Sequence, residues 1–241
     1  MQTSLTSAFS LSKFTEGKFD PTVYPLVALW GFYNQEGNVP NAEEIAEAKQ
    51  AVGYQKVIMD NATIYLQENM KIDLSAIAKG KAVDLVKEIL DQEGVENYLI
   101  EIGGEIRVQG RNKNNQKWQI YIISPDRGSS LGSLIVALDN VAIATSGDYL
   151  NYFEEKGKKY SHIIDPTTGA PVTHNLASVS VVSEKCEEAD ALATALLVMG
   201  KKAGEAFAEK NNLATYFIYQ EGDGFVGLAS SAFKKYIGAK K

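Results

Sequence analysis

The chain has 241 residues, 45% of them hydrophobic and 22% charged, a globular composition that excludes wholesale disorder, collagen and coiled coil. One cysteine and two histidines are too few for a zinc cluster, an iron–sulfur site or an internal disulfide, so any metal must be a hard cation held mostly by oxygen. Lysine and arginine number 24 against 30 acidic residues, a net charge of -6. That balance argues against a general nucleic-acid binder while leaving room for a small phosphate ligand at a local site.

Leu5, Ala8, Phe9 and Ser12 recur at helical spacing from the first turn, and Gly17 closes the pattern. The segment reads as a helix already under way, so a longer reading frame bearing a signal sequence is expected. Met1 to Lys18 itself lacks the basic and apolar regions of a leader, and no apolar run approaches the roughly 18 residues of a membrane span. Phe19 to Pro25 is rich in turn residues, and its two prolines, four apart, forbid a regular helix ahead of the apolar Leu26 to Phe32. Asn41 with Glu44 forms a capping box that opens a helix to about Val52, stopped by Gly53. Lys56 to Asp60 and Thr63 to Gln67 flank a turn at Asn61-Ala62.

A strand from Ile72 leads through a turn into a helix over Ala78 to Glu93, with Ala82, Val83, Val86, Ile89 and Leu90 as its buried stripe. Strands are predicted at Tyr98 to Ile102, Glu105 to Gln109, Trp118 to Ser124, Ser133 to Leu138, Ala142 to Thr145, Lys159 to Ile164 and Ser178 to Val182. An apolar helix from Glu187 to Met199 ends at Gly200, and a shorter one continues to Lys210. Ala214 to Tyr219 and Phe225 to Ala229 are strands joined by the Gly222-Asp223 turn region. Without a regular βαβ rhythm, the fold class is α+β, with mixed or antiparallel sheets and packed helices.

Three segments can carry chemistry. Asp190 and Thr194 stand four apart on one helical face and present a carboxylate beside a hydroxyl, two hard oxygens suited to Mg²⁺ or Ca²⁺. The same pair also suits a structural reading, with Asp190 answering the helix dipole and Thr194 bonding to the preceding turn. Asp73 to Gly80 places small residues and a lysine at a helix start, a phosphate cradle without the spacing of a nucleotide-binding P-loop, or simply an N-cap at Ser75 and a solvated Lys79. His162 ends a strand before the Asp165-Pro166-Thr167-Thr168-Gly169 turn, where an imidazole can serve as a general base or lie idle at the surface; His174 is the weaker rival. Cys186, with no histidine nearby in sequence, reads as a free structural thiol.

Six pieces stand in order: Gly17 to Val23, Asp73 to Gly80, Gly103-Gly104-Glu105, Ala144 to Tyr149, His162 to Pro171 and Ala189 to Ala195. Together they make the chain similar to the FAD:protein FMN transferase family, also called the ApbE or thiamine-biosynthesis lipoprotein family. The resemblance implies one domain over residues 1–241, as a single body or as two intimate lobes with the active site between them, lacking the family's usual N-terminal strand and helix region. It implies Mg²⁺-dependent cleavage of FAD, attachment of FMN through a phosphoester to a threonine or serine of a target flavoprotein, and release of AMP. The metal ligands it implies are Asp190, Thr194 and the Ala76 backbone. It places Lys18, Phe19, Asp20, Asp73, Lys79 and Ile164 at FAD, with Phe19 or Tyr149 as candidate neighbours of the flavin, and His162 as the base. It implies work on the outer side of the bacterial cytoplasmic membrane, often as a lipoprotein, and no nucleic-acid partner. Members that hydrolyse FAD to FMN and AMP, or only bind it, are the alternatives. Departures are Ser75-Ala76 where glycines are common, Tyr24 for glycine, Glu105 for aspartate or asparagine, and Ala193 where some members carry a further carboxylate.

Overall fold

The computed structural model describes residues 2–34, 36–60, 63–125, 133–148 and 151–238. In chain order its helices are α1 (Gln2–Phe14), α2 (Tyr24–Leu29), α3 (Ala42–Gln50), α4 (Ser75–Gln92) and α5 (Cys186–Lys210). The strands before α4 are β1 (Ile58–Asp60) and β2 (Thr63–Tyr65). After it come β3 (Tyr98–Ile102), β4 (Glu105–Gln109), β5 (Trp118–Ile122), β6 (Leu134–Leu138), β7 (Ala142–Gly147), β8 (Tyr152–Glu155) and β9 (Lys158–Ser161). Then follow β10 (Ile164–Asp165), β11 (Ala170–Pro171), β12 (Leu176–Ser183), β13 (Ala214–Glu221) and β14 (Gly224–Ala229). Two compact units divide them: Met1–Ala76 with Asp148–Thr173, and Ile77–Gly147 with His174–Lys241.

The first unit is held by an aromatic core. Leu26, Trp30, Val52 and Ile164 are buried, with Phe32, Phe153 and Tyr160 packed against them. No helix runs through Phe19 to Val23, and the two prolines still admit one from Tyr24. α2 begins at Tyr24 with Pro25 in its first turn, where a missing N–H costs nothing because that donor would be unpaired anyway. The capping box on α3 forms as expected: the Asn41 side chain accepts from the Glu43 and Glu44 amides, and Glu44 accepts from the Asn41 amide. β1 pairs with β2 as a hairpin, although its turn residues Asn61-Ala62 lie outside the described residues. β8, not read from the sequence, pairs with β9.

The second unit is built on a six-stranded, wholly antiparallel sheet in the order β14-β13-β12-β7-β4-β3. One face carries Ile143, Val182, Tyr216 and Ile218 and is covered by Ile122, Val136 and Leu138 of the β5–β6 hairpin together with Phe233. On the other face Tyr98, Ile100 and Ala142 meet Val83 of α4 and Cys186 of α5. β7 presents Ala142, Ala144 and Ser146 in alternation on that side, small residues that let α5 lie close. Gly103 and Gly104 (φ 60 and 98) make the two-residue turn between β3 and β4, a positive-φ geometry that glycine adopts without strain.

The start of α4 differs from the sequence reading. The helix begins at Ser75, because the Asp73 carboxylate accepts the Ser75 amide at 2.7 Å and turns the chain there, so the strand expected from Ile72 does not form. Its packed face is also rotated. Ile77, Gly80, Val83 and Asp84 are buried, whereas Val86 and Ile89 of the expected stripe are exposed. The cause is the N-terminus of α5. Asp84 Oδ1 and Oδ2 accept the Cys186 and Glu187 amides at 3.0 and 2.9 Å, capping a helix whose own preceding residue, Lys185, supplies no side-chain cap. At Gly80 an added Cβ would lie 2.4 Å from the Cys186 carbonyl oxygen. Gly200 (φ 74, ψ 173) interrupts α5 at the residue where the sequence ends its apolar half. Gly80→Ala should therefore destabilise the fold by about 1–3 kcal/mol, because backbone rather than a flexible side chain must yield; urea unfolding monitored by circular dichroism measures it, and an unchanged midpoint would refute the close-approach account.

Candidate functional site

In the second unit, α4, α5 and the β3–β4 turn bring Lys79, Asp190 and Glu105 together. Asp190 is 3% exposed, and its Oδ2 accepts the Gly80 amide at 3.0 Å. Lys79, one residue earlier on α4, donates to Glu105 Oε1 at 2.6 Å and lies 3.6 Å from Asp190 Oδ1. Glu105 is 2% exposed, and its Oε2 is buried without a hydrogen-bond partner among the described residues. Two buried carboxylates thus share one ammonium. Burial pushes the Asp190 carboxyl above its ordinary range, opposed by Lys79 and the Gly80 amide. Glu105 is raised by burial as well, with Lys79 opposing and Asp190 adding to the rise.

One turn along α5 from Asp190, the Thr194 hydroxyl lies 3.0 Å from the Ser146 hydroxyl on β7. The structural reading of Thr194, a bond back into its own helix, is replaced by a cross-element pair with one hydroxyl oxygen beside another. This oxygen-rich, under-neutralised region fits a hard cation. The fit rests on the orphaned Glu105 oxygen and the uncompensated buried charge, because among the described residues there is no group of three or more His, Cys, Asp or Glu side chains set for a metal. Ala76 is the second residue of α4, a backbone rather than a side-chain candidate.

In the first unit, His162 Nδ1 donates to the Asn151 carbonyl at 2.8 Å. That fixes the tautomer with the lone pair on Nε2, the state a proton acceptor needs. Burial lowers the imidazole below its ordinary value, opposed by the Asn151 bond, and Phe32 meets the ring edge-on at 6.4 Å between centroids. Behind Phe32 the ring of Phe153 (5.3 Å) stacks on Tyr160 (5.1 Å). His174 is different. Its Nε2 donates to the Leu197 carbonyl and its Nδ1 accepts the Leu176 amide, so both nitrogens are committed. The ring packs on Gly200, whose added Cβ would lie 2.7 Å from His174 Cδ2. His174 therefore serves the α5 kink.

The remaining candidates separate by what their side chains already do. Lys18 donates to both oxygens of Asp165, at 3.1 and 3.0 Å, and to the Thr167 hydroxyl, pinning the turn after His162. Asp20 accepts from the Thr22 amide and hydroxyl and from the Tyr54 amide; burial raises its carboxyl while those bonds oppose the rise. Phe19 is 3% exposed. Its ring is enclosed by the protein; Tyr149, the other aromatic considered, lies outside the described residues. Asp73 caps α4 and accepts the Tyr33 hydroxyl. Tyr33 stacks on Tyr24 at 4.5 Å, and Lys71 lies 4.9 Å over the Tyr24 ring. Ile164 is buried opposite Pro171, which has no N–H to donate to it. Cys186 is a buried free thiol pushed upward by burial, then by Asp84.

Sequence reasoning assigned no role to Glu105, Asp84, Ser146 or Tyr33. Only Glu105 carried a signal, since the paired glycines before it announce a tight turn that fixes where the next side chain points.

The geometry agrees with comparison to known proteins. The model of the ApbE family matches residues 1–217. A FAD:protein FMN transferase of Vibrio cholerae is 43% identical over 238 residues, covering 98% of this chain and 71% of the relative. One from Haemophilus influenzae is 44% identical over 245 residues, with the same coverage of 98% and 71%. Among solved structures, the apo flavinyl transferase ApbE of Pseudomonas stutzeri superposes with a TM-score of 0.91 at 39% identity, covering 100% of this chain and 75% of that one. The flavin transferase ApbE of Vibrio cholerae gives 0.87 at 41% identity, covering 98% and 76%. With the antiparallel α+β fold and a match along nine-tenths of its length, the chain belongs to the ApbE family.

Proposed function

We propose that the chain is a FAD:protein FMN transferase: it cleaves FAD, joins the FMN half by a phosphoester to a threonine or serine hydroxyl of a target flavoprotein, and releases AMP. The observation that carries the reading is the pair of buried carboxylates, Asp190 and Glu105, sharing the single ammonium of Lys79. Such a centre calls for further positive charge, and FAD brings a pyrophosphate that needs the same.

Asp190 and Thr194, with the Ala76 carbonyl, are the proposed ligands of Mg²⁺. Bound there, the ion would neutralise pyrophosphate oxygens and stabilise the charge that moves to the leaving phosphate. Lys79 adds a point charge near the start of α4, the positive end of the helix dipole. His162 accepts the proton. The acceptor hydroxyl oxygen attacks the flavin-side phosphorus, its proton passes to Nε2, and the P–O bond to the AMP half breaks with its electron pair leaving on AMP. The Asn151 carbonyl holds Nδ1–H in place and steadies the imidazolium once formed. Lys18, Asp20 and Asp73 act mainly by shaping the backbone that meets FAD, since their side chains are engaged internally. The place of action we propose is the outer face of the cytoplasmic membrane, reached through a lipid anchor. Among the described residues no helix is long and apolar enough to cross a membrane.

Incubation with FAD, Mg²⁺ and a target domain bearing an acceptor threonine tests the reading by mass spectrometry. Covalent FMN on the target is expected; free FMN and AMP alone would make the chain a FAD pyrophosphatase, and unchanged FAD a binding protein. Asp190→Ala should lower Mg²⁺-dependent transfer by about a thousandfold or more, and undiminished transfer would remove Asp190 from the metal site. His162→Ala should lower transfer by about 10²–10⁴-fold while sparing FAD binding.

The pH dependence follows from the depressed His162 value. The neutral imidazole prevails at pH 7, so the transfer rate should hold constant above about 6.5 and fall as pH drops through the lower, folded-state value. Because the unfolded chain binds this proton more readily, stability falls in the same direction. A rate that rises on acidification would exclude His162 as the base.

A further inference from the structure

We propose that Glu105 is a positioning residue that holds the Lys79 ammonium off Asp190, leaving that carboxylate open to a divalent cation. The inference rests on the assignment of Asp190 and Thr194 as cation ligands, and it concerns how a lysine placed beside a metal carboxylate avoids occupying the metal's place.

An ammonium and a divalent cation compete for the same carboxylate oxygen. Lys79 Nζ lies within ion-pair range of Asp190 Oδ1 at 3.6 Å but is hydrogen-bonded to Glu105 Oε1 at 2.6 Å. Its stem is steered to that side. Gly103, at φ 60 in the β3–β4 turn, lies so close that an added Cβ would stand 3.0 Å from Lys79 Cδ. The turn therefore gives the lysine a track to run along and puts Glu105 at its end. Asp190 meanwhile is held by its other oxygen, Oδ2, through the Gly80 amide, which orients Oδ1 without consuming it. Glu105 Oε2, buried without a hydrogen-bond partner among the described residues, costs desolvation free energy that a purely structural ion pair would avoid. The arrangement makes sense if full negative charge on Glu105 is what keeps the ammonium there. The lysine then remains in the site as a cation for phosphate oxygens while the metal takes Asp190.

Mn²⁺ binding to the FAD-free protein, read by electron paramagnetic resonance, tests this without turnover. Glu105→Gln should raise the Mn²⁺ Kd about tenfold, because Lys79 then turns to the one carboxylate left to it. Lys79→Met should bind Mn²⁺ at least as tightly as the wild type. In the Lys79→Met background, Glu105→Gln should change Kd by no more than about twofold, a non-additivity that marks action through the lysine. An equal loss in both backgrounds would make Glu105 a bare negative charge, and no loss in either would make it structural; both overturn the proposal. Should Glu105→Gln fail to fold, a crystal structure of the wild-type protein with Mg²⁺ decides instead. Lys79 should keep its bond to Glu105 and move farther from Asp190, whereas Lys79 remaining in ion-pair contact with Asp190 would overturn the proposal. If the wild type binds no Mn²⁺ at all, the cation assignment itself fails; wild-type binding that Asp190→Ala abolishes and Glu105→Gln leaves untouched sinks the positioning role alone.

Discussion

The second unit depends on how α4 meets the start of α5. A helix N-terminus leaves unpaired amides, and here two of them are satisfied from another helix, by the two oxygens of Asp84. The carboxylate is also favourably placed for the positive end of the α5 dipole. The same junction explains Gly80, where only a residue without Cβ lets the backbones approach, and it delivers the Gly80 amide to Asp190 one turn into α5. A structural contact and a functional one are thus the same contact. Loosening the helix pair would displace the carboxylate that the chemistry needs, so stability and activity are coupled at this point rather than distributed independently.

That coupling bears on the cost of the charged centre. Two buried carboxylates with one ammonium, itself 44% exposed, are unfavourable as an isolated arrangement. Asp190 is made tolerable by an amide at fixed distance, and Glu105 by a short bond to Lys79. Neither carboxyl recovers its ordinary proton affinity. The unpartnered Glu105 Oε2 is what distinguishes this region from Asp20, another buried and raised carboxylate, whose two oxygens accept from Thr22 and Tyr54 and which therefore knits the chain around Pro21 and Gly53. Chemically identical groups take opposite roles according to whether their valences are filled.

Much of this was legible in the sequence, for local reasons. The capping box at Asn41, the turn at Gly222-Asp223, the break at Gly200 and the shared face of Asp190 and Thr194 each depend on residues a few positions apart. What escaped depends on long-range pairing. The packed face of α4 could not be read because Ile89 and Val86 look more apolar than Asp84 and Gly80, yet the latter two are buried by their dealings with α5, 102 to 110 residues away. Pro25 is ambiguous in a different way. As a helix breaker it argued against a helix, while as a first-turn residue it is compatible with one, and only the position of the helix start decides between them. Likewise β8 is invisible without its partner, since Tyr152 to Glu155 shows no apolar alternation of its own until β9 folds beside it.

The two histidines show how hydrogen-bond accounting separates scaffold from chemistry. In sequence they are near neighbours flanking one turn, and nothing in residue type distinguishes them. His174 spends both nitrogens on backbone, donating to Leu197 and accepting from Leu176, where the interruption at Gly200 disturbs the regular ladder of α5. Among the described residues His162 spends only Nδ1, on a carbonyl that strengthens its hold if the ring becomes charged, and its Nε2 has no partner beside an aromatic edge. Gaining a proton there breaks no bond and improves one. A group that must take up a proton during reaction and return it needs that asymmetry, and among the two imidazoles of the chain His162 alone has it.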